Sequence, residues 1–278
     1  MLAQQASPAG TVGTGTHPSA PLAWALWTLS TLLITSSLLL DFLTPGFLAP
    51  AAQRPDPVLV VSSALLALAC STVGALVASR LHRNPIGWIF CGMGLLYAVR
   101  RFAMAYANYA LLVRPSLPGG EYAAWISTWF RFSGLILLGV LLVLLFPSGR
   151  LQSRRRWIAA WAAPAGAAML AVGDALRFGP LPDYYHTYNP LGIVGTVGGV
   201  LSIQQLFEAL TVFGGALLSA GCLASLVLLV QRLRRARGEE RRQLRWFSYA
   251  AIPALVGSVV TLLDWTAERF ALLCFGKT

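Results

Sequence analysis

The chain has 278 residues, of which 56% are hydrophobic and 11% charged, with a formal net charge of +11 and a mean hydropathy of +0.66. A chain of this length cannot surround so many long apolar runs with a polar shell, which excludes an ordinary soluble domain. The positive charge is nearly all arginine and falls in the connections between the runs, a distribution that fits membrane topology and not nucleic-acid recognition.

Residues 1–21 are rich in Ala, Thr, Gly and Pro, with no basic stretch ahead of the first apolar run. They read as a disordered tail and not as a cleaved signal peptide. Apolar runs follow at 22–43, 57–79, 86–113, 124–146, 157–176, 207–231 and 247–265, each able to cross about 30 Å of hydrocarbon as a helix. Backbone groups in lipid must be satisfied within helices. The predicted fold class is therefore all-α, a polytopic transmembrane helix bundle of about seven spans over residues 22–265. In the carboxyl-terminal tail, 266–278, the apolar stretch 270–275 resembles the start of an incomplete eighth span, so the carboxyl end reads as cut off.

Arginines collect in alternate connections: Arg80 and Arg83; Arg150, Arg154, Arg155 and Arg156; then Arg232, Arg234, Arg235, Arg237, Arg241, Arg242 and Arg245. These connections are expected on the cytoplasmic side, with the amino terminus, and their arginines are candidates for cytoplasmic signalling or lipid-headgroup contacts. The other connections carry only Arg54, Arg114 and Arg177 beside Asp56, Glu121 and Asp183, and are expected to face outward. The longest of them, about 177–205, contains Tyr184, Tyr185, His186, Tyr188, Asn189 and Pro190. It reads equally as a small lid or as an interfacial aromatic belt. Pro164 and Pro253 fall inside spans, where a missing backbone donor makes a pivot or is simply tolerated.

Cys70, Cys91, Cys222 and Cys274 are far apart, and His17, His82 and His186 are remote from one another and from the cysteines. No metal or other cofactor is expected. HExxH, GxSxG and a compact acidic motif are all absent from the sequence, so no catalytic residue is assigned.

Charges within spans are functional candidates by default, because an unpaired charge in lipid is costly. On the third run, Tyr97, Arg101 and Asn108 share a helical face with Gly94 and Ala105, and Arg100 adjoins it. The fourth run carries Ser127 and Arg131. The sixth places Glu208, Thr211, Gly215, Ser219 and Cys222 on one stripe, and the seventh does the same with Gly257, Thr261 and Asp264. With Asp41 and Asp174 at the ends of the first and fifth runs, these charges predict an outward-open, charge-lined cavity. Arg100, Arg101, Asn108, Arg131, Asp174, Glu208 and Asp264 would bind a ligand there, or the acids would neutralise the arginines.

Three junctions carry distinctive chemistry. In the first, NPIGW at 84–88, Asn84 can cap a helix that has Pro85 in its first turn. In LFPSGRL at 145–151, proline and glycine end a span ahead of anchoring arginines. RRARGEERRQLRW at 234–246 is a charged linker whose glutamates can pair with arginines three or four residues away. In their order and spacing these motifs resemble the membrane-embedded sensor region of bacterial multi-pass sensor histidine kinases, over about residues 57–265.

That resemblance implies a sensor module of a two-component system in the bacterial inner (cell) membrane. It also implies a phosphoacceptor-histidine helix and an ATP-binding domain, of which this sequence has neither; as it stands, the chain is not expected to be an enzyme. The expected partners are the lipid bilayer and a homodimer mate or a separate signalling protein. Transport and a structural partner subunit are the competing readings, and the sequence names no ligand.

Overall fold

The computed structural model describes residues 19–44, 56–81, 83–129, 133–145, 154–181, 184–197 and 201–275. These residues form α1 (Ser19–Leu43), α2 (Pro57–Arg80), α3 (Pro85–Asn108) with a π-helical turn at Tyr109–Val113, α4 (Gly120–Trp129), α5 (Ser133–Leu145), α6 (Arg154–Leu176), α7 (Ile203–Arg235) and α8 (Gly238–Phe275). Between α6 and α7 lie two antiparallel pairs of short strands, β1 (Pro180–Leu181) with β2 (Tyr184–Tyr188) and β3 (Thr196–Val197) with β4 (Leu201–Ser202).

Side-chain caps fix several helix starts. Asp56 accepts from the Val58 amide at 2.9 Å ahead of Pro57, and Asn84 accepts from the Ile86 amide at 3.0 Å ahead of Pro85, so the first junction caps as its sequence predicts. Ser202 and Gln205 close a reciprocal capping box at the start of α7. Between α7 and α8 the chain turns through Gly238, whose φ of 58° is open to glycine at little cost.

Two antiparallel helix pairs are drawn close by glycine. A Cβ on Gly94 of α3 would lie 2.6 Å from the Ser71 nitrogen of α2, and Gly74 sits hard against the Cys91 backbone. On the other pair, a Cβ on Gly166 of α6 would lie 2.6 Å from the Leu218 nitrogen of α7, while Gly214 faces Leu170 in the same way. Small residues that let backbones touch are the usual means of helix association in lipid. Around α6 and α7 a larger core includes Val140, Leu144, Leu170, Leu218, Leu244, Leu255 and Leu262, while Ile34, Ala64, Ala67 and Ala98 join α1, α2 and α3.

Among the described residues, five helices are long and apolar enough to cross a membrane: Ala20–Leu43, Pro57–Arg80, Pro85–Val113, Ile203–Arg235 and Arg241–Phe270. Their outer faces present large apolar side chains, such as Leu32, Leu39, Leu59, Leu65, Phe213 and Val260. A surface of this kind is stable in hydrocarbon and not in water. The chain is an all-α membrane helix bundle.

The predicted boundaries differ in three places. Within the run 124–146, α4 reaches Trp129 and α5 covers Ser133–Leu145, and residues 130–132 lie outside the described residues. Residues 1–18 of the expected tail also lie outside them, and 19–21 already belong to α1. The charged segment 234–246 is mostly absorbed into α7 and α8. Arg242 and Glu239, one turn apart, pair at 2.8 Å on that stretch. Finally, 270–275 continues α8 and does not begin a separate element, because no glycine or proline separates it from Trp265.

Candidate functional site

The strand-bearing end of the bundle gathers the buried charge. Arg101 occupies the inward face of α3, in the same register as Gly94 and Ala98, and its guanidinium pairs with the Asp41 carboxylate of α1. Arg101 is 5% exposed and Asn108, two turns along, is equally buried. Arg100, beside it, donates from Nε to the Ser127 carbonyl of α4 at 3.2 Å.

A second centre joins three other helices. Glu208, in the second turn of α7, is approached by Arg177 at the end of α6, Nη1 to Oε1 3.5 Å, and by Arg269 of α8, Nη1 to the same Oε1 3.9 Å. All three side chains are largely buried, and Arg269 also lies over the Trp265 ring, 5.3 Å from its centroid. Glu208 Oε2, Arg177 Nε and the neighbouring Gln204 Oε1 are buried with no hydrogen-bond partner. Asp174, one turn before Arg177, lines a small hollow with Thr128, Arg177, Leu181 and Asn189.

The scaffold under this centre is built from indoles and an amide. Trp129 and Trp125 of α4 donate to the Ala171 and Ala175 carbonyls of α6 at 2.8 and 3.0 Å. Asn189, buried after β2, donates to the Ala175 and Arg177 carbonyls at 2.9 and 2.8 Å and accepts from the Leu191 amide. The last carbonyls of a helix need such partners. Gln204 ties the start of α7 to the Phe178 carbonyl at 3.0 Å. Tyr184 is buried and its hydroxyl reaches the Met104 carbonyl of α3 at 3.4 Å.

The candidates from sequence are thus distributed among different partners. Arg101 meets Asp41, Arg100 meets α4, and Glu208 meets Arg177 and Arg269. Arg131 lies outside the described residues, as do the side chains of Arg154, Arg155 and Arg156. The stripe Thr211, Gly215, Ser219 and Cys222 is buried on α7.

Asp264 requires a correction. With Gly257 and Thr261 it lies on the exposed face of α8, turned away from the bundle. The buried ridge of α8 is Ala251, Leu255, Val259, Leu262, Thr266 and Arg269. The inward face of α8 is mixed, with aliphatic Leu255, Val259 and Leu262 beside Ala251 and Thr266, the last packed on Gly215 of α7, while Gly257, Thr261 and Asp264 lie on the other side.

Arg269 is the residue that the sequence reading missed. It continues the buried ridge at three- and four-residue spacing, and extending that period past Trp265 finds it. Arg177, read as a residue of the connection, is drawn in by the same glutamate. No protein-family model, curated protein or solved structure matches the chain.

Proposed function

We propose that this chain is the multi-pass sensor module of a bacterial two-component signalling protein. It sits in the inner membrane with its amino terminus and arginine-rich end in the cytoplasm. In this reading α4 and α5 together make one crossing and α6 another, giving seven. NPIGW, LFPSGRL and RRARGEERRQLRW supply the family reading.

The observation that carries the sensing role is Glu208 held between Arg177 and Arg269 at 3.5 and 3.9 Å. Three helices converge on one carboxylate, and part of its hydrogen-bonding capacity is unused. An external cue that bound there would redistribute these contacts. Because α8 runs unbroken from Arg269 to the arginines at its other end, a change in its packing would be carried across the bilayer. The mechanism is a population shift between helix packings.

A second reading is favoured by Asp264. A carboxylate on the exposed face of a spanning helix is costly in lipid, so a neighbouring helix would cover it in a structural partner subunit or a homodimer.

The test is a small-molecule thermal-shift screen of the purified protein in detergent, repeated with Glu208→Gln and followed by uptake assays in proteoliposomes. A compound that stabilises the native chain, fails on Glu208→Gln and is not taken up supports sensing. Uptake supports transport. A defined oligomer that Asp264→Asn dissociates, with no responding compound, supports the partner reading.

A further inference from the structure

The connection between α6 and α7 has a composition unlike that of a loop in water. From Tyr184 to Phe207 it contains no Asp, Glu, Lys or Arg, whereas the connections at 44–56 and 114–123 each carry both signs of charge. Phe178, Tyr188, Leu191, Ile193 and Val194 all expose their side chains, Val194 by 73%, and the Phe178 and Tyr188 rings lie 5.9 Å apart. An exposed apolar group of this kind marks a surface that something covers.

Backbone bonds fix where these side chains stand. The Ile193 amide donates to the Leu176 carbonyl at 3.0 Å, and a Cβ on Gly192 would lie 2.8 Å from the Phe178 Cα. The chain thus returns to the last turn of α6 before β3 begins, and the buried Tyr184 and Asn189 pin it from beneath. On its other side, the Ile203 amide donates to the Gly195 carbonyl at 3.0 Å. Ile203 stands one turn before a line of exposed residues on α7, Leu206, Phe213, Ala220 and Val227, spaced by seven. The loop is therefore continuous with the lipid-facing side of α7.

Its depth follows from the length of that helix. Leu206 and Arg232 are about 39 Å apart along α7 at about 1.5 Å per residue, and a bilayer with both headgroup layers is about 40 to 45 Å thick. With Arg232 and the arginines after it at one headgroup layer, Leu206 and the loop beside it stand at the other.

We propose that Leu191, Ile193 and Val194, with Phe178 and Tyr188, form an interfacial anchor seated in the lipid leaflet at this end of the bundle. Aliphatic and aromatic side chains are together at home at the boundary of headgroups and acyl chains. Having no Lys or Arg of its own, the anchor does not require anionic headgroups. It does not depend on the sensor reading and would serve a partner subunit equally.

The test uses the full chain with Cys274→Ser and Val194→Cys, labelled at position 194 with the fluorophore NBD and reconstituted in phosphatidylcholine nanodiscs; Cys70, Cys91 and Cys222 are buried. A phospholipid with a nitroxide near the top of its acyl chain is expected to remove about half or more of the emission, since interfacial apolar groups reach about 5 to 10 Å into that boundary. Aqueous iodide should quench the label at least about threefold less than it quenches the free NBD conjugate of cysteine, because the same boundary excludes it. Iodide quenching equal to that of the free conjugate places the loop in water and overturns the proposal. So does emission that the nitroxide lipid leaves unchanged, and protection from both quenchers would show that protein, such as a second copy, covers the loop. If Val194→Cys does not fold, Leu191→Cys carries the label, with the same results expected and the same results contradicting the proposal.

Discussion

Arg101 of α3 and Asp41 of α1 form an ion pair through the Arg101 Nη2, with both side chains largely buried, 6% and 12% exposed, and the Arg101 Nε has no hydrogen-bond partner. Each charge depends on the other, because a lone buried charge is costly while a neutral pair is tolerated. Arg101→Gln or Asp41→Asn alone should therefore destabilise the protein by about 3 to 5 kcal/mol. The double variant should recover most of the loss, as read by unfolding in detergent. A double variant as unstable as the two losses added together would show that the residues do not act as a pair.

Glu208 and Asp264, both acids near one end of the bundle, should respond differently. Glu208→Gln removes the carboxylate charge that Arg177 and Arg269 share and should cost on the order of 3 kcal/mol. Asp264→Asn, on the exposed face of α8, should stay within about 0.5 kcal/mol for the detergent-solubilised protein. Equal losses in thermal unfolding would remove the distinction between the two sites.

Glycine spacing gives a paired prediction on packing. Gly214 meets the Leu170 backbone, whereas a Cβ at Gly257 has nothing within 4 Å. Gly214→Ala should lose about 1 to 3 kcal/mol through overpacking. Gly257→Ala should be neutral or gain up to about 1 kcal/mol from helix propensity. Melting temperatures of the two variants check the order.

The ties between α4 and the end of α6 rest on single donors. Trp129→Phe keeps the ring but loses the bond to the Ala171 carbonyl, for an expected cost of about 0.5 to 1.5 kcal/mol. Asn189→Ala, which loses three bonds, should cost more. Hydrogen exchange in the last turn of α6 should rise in both variants; unchanged protection would mean that these bonds do not hold the helix end.

Much of the helix layout was legible because long apolar runs in a membrane protein leave few alternatives, and because Asn84 with Pro85 announces a helix start at its own position. The inward face of α3 was legible too, since Gly94, Arg101 and Asn108 share one period. The limits of α7 and α8 were not. Charged residues were taken to end the spans, yet arginine and glutamate are good helix formers and pair along the helix, as Arg242 and Glu239 do. The inward face of α8 was misassigned because its two faces are similarly apolar, leaving the small residues as a misleading guide. The pairing of Glu208 with Arg177 and Arg269 depends on which helices are neighbours, and a single sequence does not encode that locally.

The claim at the centre of this account is that the Glu208 cluster is coupled to the opposite end of α8. Its most direct test is a distance measurement by double electron–electron resonance in lipid nanodiscs. Spin labels are placed at Leu81→Cys, just beyond α2, and Gln243→Cys, on α8, with Cys274 replaced by serine. Both labelled sites are exposed, and Cys70, Cys91 and Cys222 are buried. The account predicts that adding Glu208→Gln shifts or broadens the distance distribution while the protein remains folded. A folded Glu208→Gln protein with an unchanged distribution would contradict it.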